Sequence, residues 1–190
     1  MFALKKNYFL IIENTKEIDL KNIKIRNKFS IIYRNQKYTE NKVELFKFRK
    51  ICYAKAIKFY VANNFKLASY LHADGIYLSA FNNSLKYLSF KNSRFKLVGS
   101  AHNIKEIKMK IAQGCDAILL SKLFLVSYDT KAPYLGVIKF NNYLKICKNL
   151  IPLGGIKLKN LNNVSKINCK GLALLSEIKK KPANIINRLF

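Results

Sequence analysis

The feature that most constrains this chain is a rhythm. Short apolar runs stop at a polar residue or a glycine, and a stretch of helical spacing follows. The runs are Tyr8–Ile12, Phe29–Tyr33, Lys58–Ala62, Gly75–Leu78, Lys96–Gly99, Asp116–Ser121, Ile151–Leu153 and Gly171–Leu175. They are mostly unalternating, which is the pattern of parallel strands buried on both faces. Between them, Val43–Ile57 places Leu45, Phe48, Ile51, Cys52 and Ala56 roughly on one helical face. Asn103-Ile104-Lys105-Glu106 reads as a capping box opening a helix to Gln113, with Gly114 as its stop. Phe81–Phe90 reads as a brief helix, and Leu161–Ile167 and Pro182–Leu189 complete the series. Strict strand–helix alternation with eight strands predicts an α/β fold: a closed parallel (β/α)8 TIM barrel, as one small domain over residues 1–190. An open doubly wound sheet is the alternative, but no Gly-x-Gly-x-x-Gly follows the first run.

Half of the residues are hydrophobic, enough for a core, yet no apolar run approaches the ~20 residues of a membrane span. Tyr8–Ile12 is too short for a signal peptide, and Glu13 ends it. Cys52, Cys115, Cys147 and Cys169 show no C-x-x-C spacing and read as reduced thiols of a cytoplasmic protein. The net charge of +26 raises a nucleic-acid reading. Against it, the lysines are spread over nearly every helical stretch, and Lys179-Lys180-Lys181 is the one consecutive basic block. The charge reads as solvated helix faces that also attract small anions.

In such a barrel the site lies at the C-terminal strand ends. Those ends carry Arg34, then Asn63-Asn64, then Ser79 and Asn82, then Ser100 and His102. Lys122 follows the sixth run with a loop to Lys131, then come Gly154-Gly155 and Leu175-Ser176. Asp129 is the one clear acid in this ring, which excludes a paired-carboxylate glycosidase and argues against a dedicated Mg2+ cage. The ring favours an anion. Glycine lets backbone approach a ligand closely, and a strand-to-helix turn exposes N–H donors. The last two strand ends therefore read as a phosphate cradle at Gly155, Leu175 and Ser176. His102 is a candidate acid or base, or a histidine packed at a helix start. Arg34 is an oxyanion binder or a rim salt-bridge partner. Asp74 and Asp116, which start strands at the opposite face, and His72 read as structural.

At these residues the chain resembles the thiamine phosphate synthase/TenI family. Leu97-Val98-Gly99-Ser100-Ala101-His102-Asn103 with Glu106 is similar to that family's G-x-S-x-H-x-x-x-E segment. Ser121-Lys122-Leu123-Phe124 through Ala132-Pro133-Tyr134-Leu135-Gly136 resembles its sixth-strand loop. Leu153-Gly154-Gly155-Ile156 and Gly171-Leu172-Ala173-Leu174-Leu175-Ser176 resemble its thiazole-phosphate site. The resemblance implies a cytoplasmic enzyme of thiamine biosynthesis. It would join thiazole phosphate to hydroxymethylpyrimidine diphosphate with loss of pyrophosphate, using Mg2+, as a homodimer. The implied roles are catalytic for Lys122, His102 and Ser100, and substrate-binding for Arg34, Asn63, Lys131, Gly154, Gly155, Leu175 and Ser176. The family's two metal-holding aspartates fall on Asn64 and Asn82. Asn offers a carbonyl oxygen but no charge. The alternatives are a TenI-like thiazole tautomerase, with Lys122 where that branch has its histidine, or a non-catalytic phosphate-ligand-binding paralogue. A nucleic-acid binder on a recycled barrel is the third reading.

Overall fold

A computed structural model of the chain describes residues 7–23, 27–35, 41–90, 95–127, 131 and 133–175. Eight parallel strands alternate with helical connections: β1 (Asn7–Ile12), β2 (Phe29–Tyr33), β3 (Lys58–Ala62), β4 (Gly75–Leu78), β5 (Lys96–Ala101), β6 (Ala117–Leu120), β7 (Leu150–Pro152) and β8 (Gly171–Leu174). Their order is β7-β6-β5-β4-β3-β2-β1-β8. β8 pairs with β1, Tyr8 facing Leu172 and Leu10 facing Leu174, so the sheet curls into a barrel rather than staying open. β7 and β8 touch along the remaining seam, but no ladder joins them among the described residues.

The expected strands match to within a residue or two. β5 runs on to Ala101, and Asp116 stands just outside β6. The helices are α1 (Lys42–Ala54), α2 (Phe65–Tyr70), α3 (Ile104–Ala112), α4 (Gly136–Ile146) and α5 (Leu161–Ser165). α1 stops short of Ile57 because Ala56 takes a left-handed φ of 54°. α3 opens on Asn103, whose Oδ1 accepts from Glu106 N at 3.0 Å. α2 and α4 are additional to the expected helices. Only 3-10 turns occur among the described residues between β1 and β2, and Leu85–Phe90 is a 3-10 turn rather than an α-helix. A barrel this small economises on crossover helices. The stretch Pro182–Leu189 lies outside the described residues.

Strand parity divides the core in two. Phe9, Ile11, Ile32, Tyr60, Tyr77, Val98, Leu119, Ile151 and Ala173 point inward, so every strand helps fill the lumen. The residues between them, such as Leu10, Ile31, Phe59 and Ile76, face outward into the layer under the helices. The lower rim is held by one device used twice. Asp74, just before β4, accepts from Phe59 N of β3 at 2.7 Å and pairs with buried Arg49 at 3.2 Å. Asp116, just before β6, accepts from Leu97 N of β5 at 2.9 Å. Arg49 also donates to His72 O at 2.9 Å. Cys52, Cys115, Cys147 and Cys169 are free thiols. Burial pushes Cys52 and Cys115 each up to about 12.

Candidate functional site

Parity also builds the upper rim. Two residues beyond each lumen residue, the chain again points inward, but past the packed layer. From β2 this step reaches Arg34, from β3 Ala62, from β4 Ser79, from β5 Ser100, from β6 Ser121, from β7 Leu153 and from β8 Leu175. All seven line a cavity of about 670 Å³ at the C-terminal strand ends. Tyr77 forms part of its floor, and Asn63, His102, Gly154 and Gly155 complete the wall. Its base and the β6–β8 side are apolar, with Val126, Ile156 and Ala173, so polar groups arrive at a few defined points.

Arg34 is the main cation of the wall. Its Nη2 lies 3.8 Å from Glu13 Oε1, and its Nε is buried with no hydrogen-bond partner among the described residues. Glu13 therefore corrects the reading of Asp129 as the ring's one acid: it is the inward residue beyond Ile11 of β1. Asp129 itself lies outside the described residues. The Tyr77 phenol stands within hydrogen-bonding reach of Ser100 and Arg34. Burial raises its pKa against their pull, so it stays a neutral donor and acceptor.

His102 lies at the mouth. Its Nδ1 is 2.9 Å from Glu106 Oε2, which also accepts from His102 N at 2.8 Å. Burial acts to raise the Glu106 carboxyl, but the bonds from His102 and Asn103 outweigh it and hold it below its ordinary value. Glu106 thus fixes the Nδ1 edge of the imidazole, and the ring lies 6.3 Å from that of Phe81 between centroids, tilted by 38°.

The three asparagines have separate places. Asn63, at φ 53°, is at the cavity wall; its Oδ1 accepts from Ser79 N and Asn82 Nδ2, both at 3.1 Å. Asn64 caps α2, its Oδ1 accepting from Leu67 N at 2.9 Å, and does not line the cavity. Asn82 Oδ1 accepts from Ser84 N at 3.1 Å, behind the wall. All three amide oxygens are thus occupied by protein donors. No group of three or more His, Cys, Asp or Glu side chains converges among the described residues. Mg2+ needs anionic oxygens around an octahedron, and this donor set does not fit it.

Lys122 lines a neighbouring cavity of about 430 Å³ with Tyr134, Lys139 and Tyr143; the two cavities share His102 and Ser121. Lys131 is exposed and stands at neither cavity. Ser176 lies outside the described residues. Gly154 and Gly155 take φ of 90° and 68°. A Cβ on Gly155 would sit 2.4 Å from Phe124 O, so only glycine lets the β7 loop pass under the β6 loop. Asn160 Nδ2 ties down Gly155 O at 2.8 Å, while Gly155 N–H has no partner among the described residues. Sequence reasoning missed Tyr77, Ser121, Glu13 and Phe81 as site residues. Inward parity extended past the apolar run would have found Ser121 and Glu13.

A family model for thiamine monophosphate synthase matches residues 5–178. A thiamine-phosphate synthase from Flavobacterium psychrophilum is 25% identical over 151 residues, covering 74% of this chain and 73% of that one. One from Methanococcus maripaludis is 26% identical over 133 residues; the match covers 70% of this chain and 64%, just under two thirds, of the relative. Among solved structures, thiamine phosphate pyrophosphorylase from Pyrococcus furiosus superposes with a TM-score of 0.74 at 16% identity, covering 98% of each chain. The 3-keto-L-gulonate-6-phosphate decarboxylase of Vibrio cholerae superposes with a TM-score of 0.65 at 13% identity, covering 98% of this chain and 99% of that one. At such identities these superpositions speak for the barrel alone. Among the described residues, no helix is long and apolar enough to cross a membrane.

Proposed function

The chain belongs to the thiamine monophosphate synthase family, and from that premise we propose that its rim cavity binds a phosphorylated thiazole for thiamine biosynthesis. The phosphate lies against the backbone N–H groups of Gly155, Leu175 and Ser176. The observation that carries this reading is the β7 loop: two glycines at positive φ, a tethered carbonyl at Gly155, and an N–H left over at the cavity wall. Charge-assisted bonds to backbone donors are among the stronger hydrogen bonds available. Bound there, the thiazole extends over the apolar floor toward Tyr77 and Ser100.

Joining the thiazole to hydroxymethylpyrimidine diphosphate needs little covalent work from the protein. The bond from the pyrimidine's methylene carbon to the diphosphate oxygen breaks, its electron pair leaving with pyrophosphate. The thiazole nitrogen then bonds to that carbon. What must be supplied is stabilisation of the departing charge. In this reading Arg34, whose Nε has no hydrogen-bond partner among the described residues, and Ser100 supply it. The occupied asparagine oxygens favour a second reading, a phosphate-ligand-binding paralogue that does not catalyse the joining step. Lys122 as the base of a tautomerase has less support, since it lines the neighbouring cavity.

Amide NMR tests the site. Adding thiazole phosphate should shift the Gly155, Leu175 and Ser176 N–H resonances most. Binding that leaves these amides unmoved would refute the placement. Product formation from both substrates then separates the synthase from the binding paralogue.

A further inference from the structure

Phe81 stands at the cavity mouth with 87% of its surface exposed. An apolar ring in water is a cost that a loose loop would relieve by folding it inward. This loop is not loose. Asn82 N donates to Ser79 O at 3.0 Å, and Asn82 Nδ2 donates to Asn63 Oδ1 at 3.1 Å. From behind, Lys110 of α3, wholly buried, donates to Asn82 O at 2.6 Å and to Gln113 Oε1 at 2.9 Å. Gln113 Nε2 donates to Asn82 O at 2.8 Å and to Ser84 O at 2.9 Å.

Lys110's hydrogen-bond acceptors are thus uncharged oxygens, an arrangement that costs desolvation energy. The fold accepts that cost beside the exposed ring, and the backbone carrying Phe81 is fixed as a result. His102, itself oriented by Glu106, backs the ring at 6.3 Å between centroids and a 38° tilt. β4 and β8 lie four places apart around the barrel, so Phe81 faces the Leu175 rim from across the mouth.

We propose that Phe81, backed by His102, is the stacking platform for a planar heteroaromatic ring of the ligand whose phosphate is anchored at the opposite rim. This rests on the phosphate reading above and adds a specificity-determining residue to it. Aromatic ligands stack on such a face because offset ring contacts gain energy beyond their buried area. Inorganic phosphate has no ring and should ignore Phe81.

Calorimetry with two probes, inorganic phosphate and thiazole phosphate, tests this on the wild type, Phe81→Ala and Phe81→Tyr. Phe81→Ala should weaken thiazole phosphate about two- to tenfold, and Phe81→Tyr should retain it. Inorganic phosphate should bind all three proteins equally. The platform is overturned by an equal loss of both probes, or by no loss of either. It is also overturned if thiazole phosphate binds the wild type no tighter than inorganic phosphate, an outcome that leaves the anion site standing. Binding of neither probe refutes the phosphate reading itself. Sedimentation of the same variants guards against a different role: if Phe81→Ala turns a dimer into a monomer, the ring is an interface and the proposal fails.

Discussion

Gly136 and Gly155 share a φ of 68°, and that coincidence allows a controlled experiment on how the β6 and β7 loops are packed. Placing any L-residue in this left-handed region costs about 1–2 kcal/mol. At Gly136, which opens α4, a Cβ would meet nothing within 4 Å, so Gly136→Ala should cost that strain and no more. At Gly155 a Cβ would lie 2.4 Å from Phe124 O and 2.6 Å from Leu125 O. Both neighbours are main chain, so the β6 loop must move, an overpacking cost of about 1–3 kcal/mol. Gly155→Ala should therefore lose about 2–5 kcal/mol in all. A difference of this size moves the melting temperature by about 2–4 °C per kcal/mol in a chain of this length. Urea unfolding gives the two free energies, with an unchanged slope marking an unchanged denatured state. Equal losses in the two variants would refute the close crossing of the loops. The same geometry means that Gly155→Val, an obvious way to block an anion, would disturb the β6 loop as well and could not isolate ligand binding.

Glu106 has a lowered folded-state pKa, so its stabilising contribution is complete above its unfolded value near 4.5 and disappears as pH falls through the folded value. Glu106→Gln should thus be less stable than the wild type at neutral pH, and acid unfolding curves should bring the two together below that value. With its thiol pushed up to about 12 and wholly buried, Cys52 should resist a thiol reagent at pH 8 in the folded protein and react on unfolding; prompt native labelling of Cys52 would contradict its burial. Removing the α3 cap with Asn103→Ala should cost about 1 kcal/mol in the same urea assay, and no loss would mean the cap is not as described. Mg2+ should leave the affinity for inorganic phosphate unchanged in calorimetry, whereas a metal-dependent gain would show that the asparagine oxygens are free to rearrange.

The strands were legible because a strand buried on both faces must be apolar along its whole length, and Phe29–Tyr33 or Lys58–Ala62 cannot be much else. The helices were harder to read. α2 is six residues, too short to show a 3.6-residue period, and α4 carries Asn141-Asn142 in its middle. The rim residues Arg34, Asn63, Ser100, His102, Gly154, Gly155 and Leu175 could be named because each follows or ends an apolar run, and the structure brings them to one cavity. Two other expected site residues, Asn64 and Lys122, do different local work. Asn64 sits three residues before Leu67, the spacing of a helix cap, and family alignment obscured that plainer role. Lys122 follows inward-pointing Ser121, so parity turns it away from the main cavity. Tyr77 was hidden for the opposite reason: inside an apolar run, a tyrosine reads as core until its hydroxyl is seen to reach the rim.

The seam between β7 and β8 gives the barrel a weak closure on the side where the anion is expected. Gly154 and Gly155 hang from the end of one strand and Leu175 from the end of the other. An anion bonded to N–H groups from both loops would act as the crosslink that the backbone omits. Hydrogen exchange would register this as a change in local opening. In the free protein, amides along β7 and β8 should exchange faster than those of β2 through β5, which are laddered on both sides. Ligand should slow the amides of both seam strands together, including those several residues below any contact, because binding the closed form alone raises the cost of parting the strands.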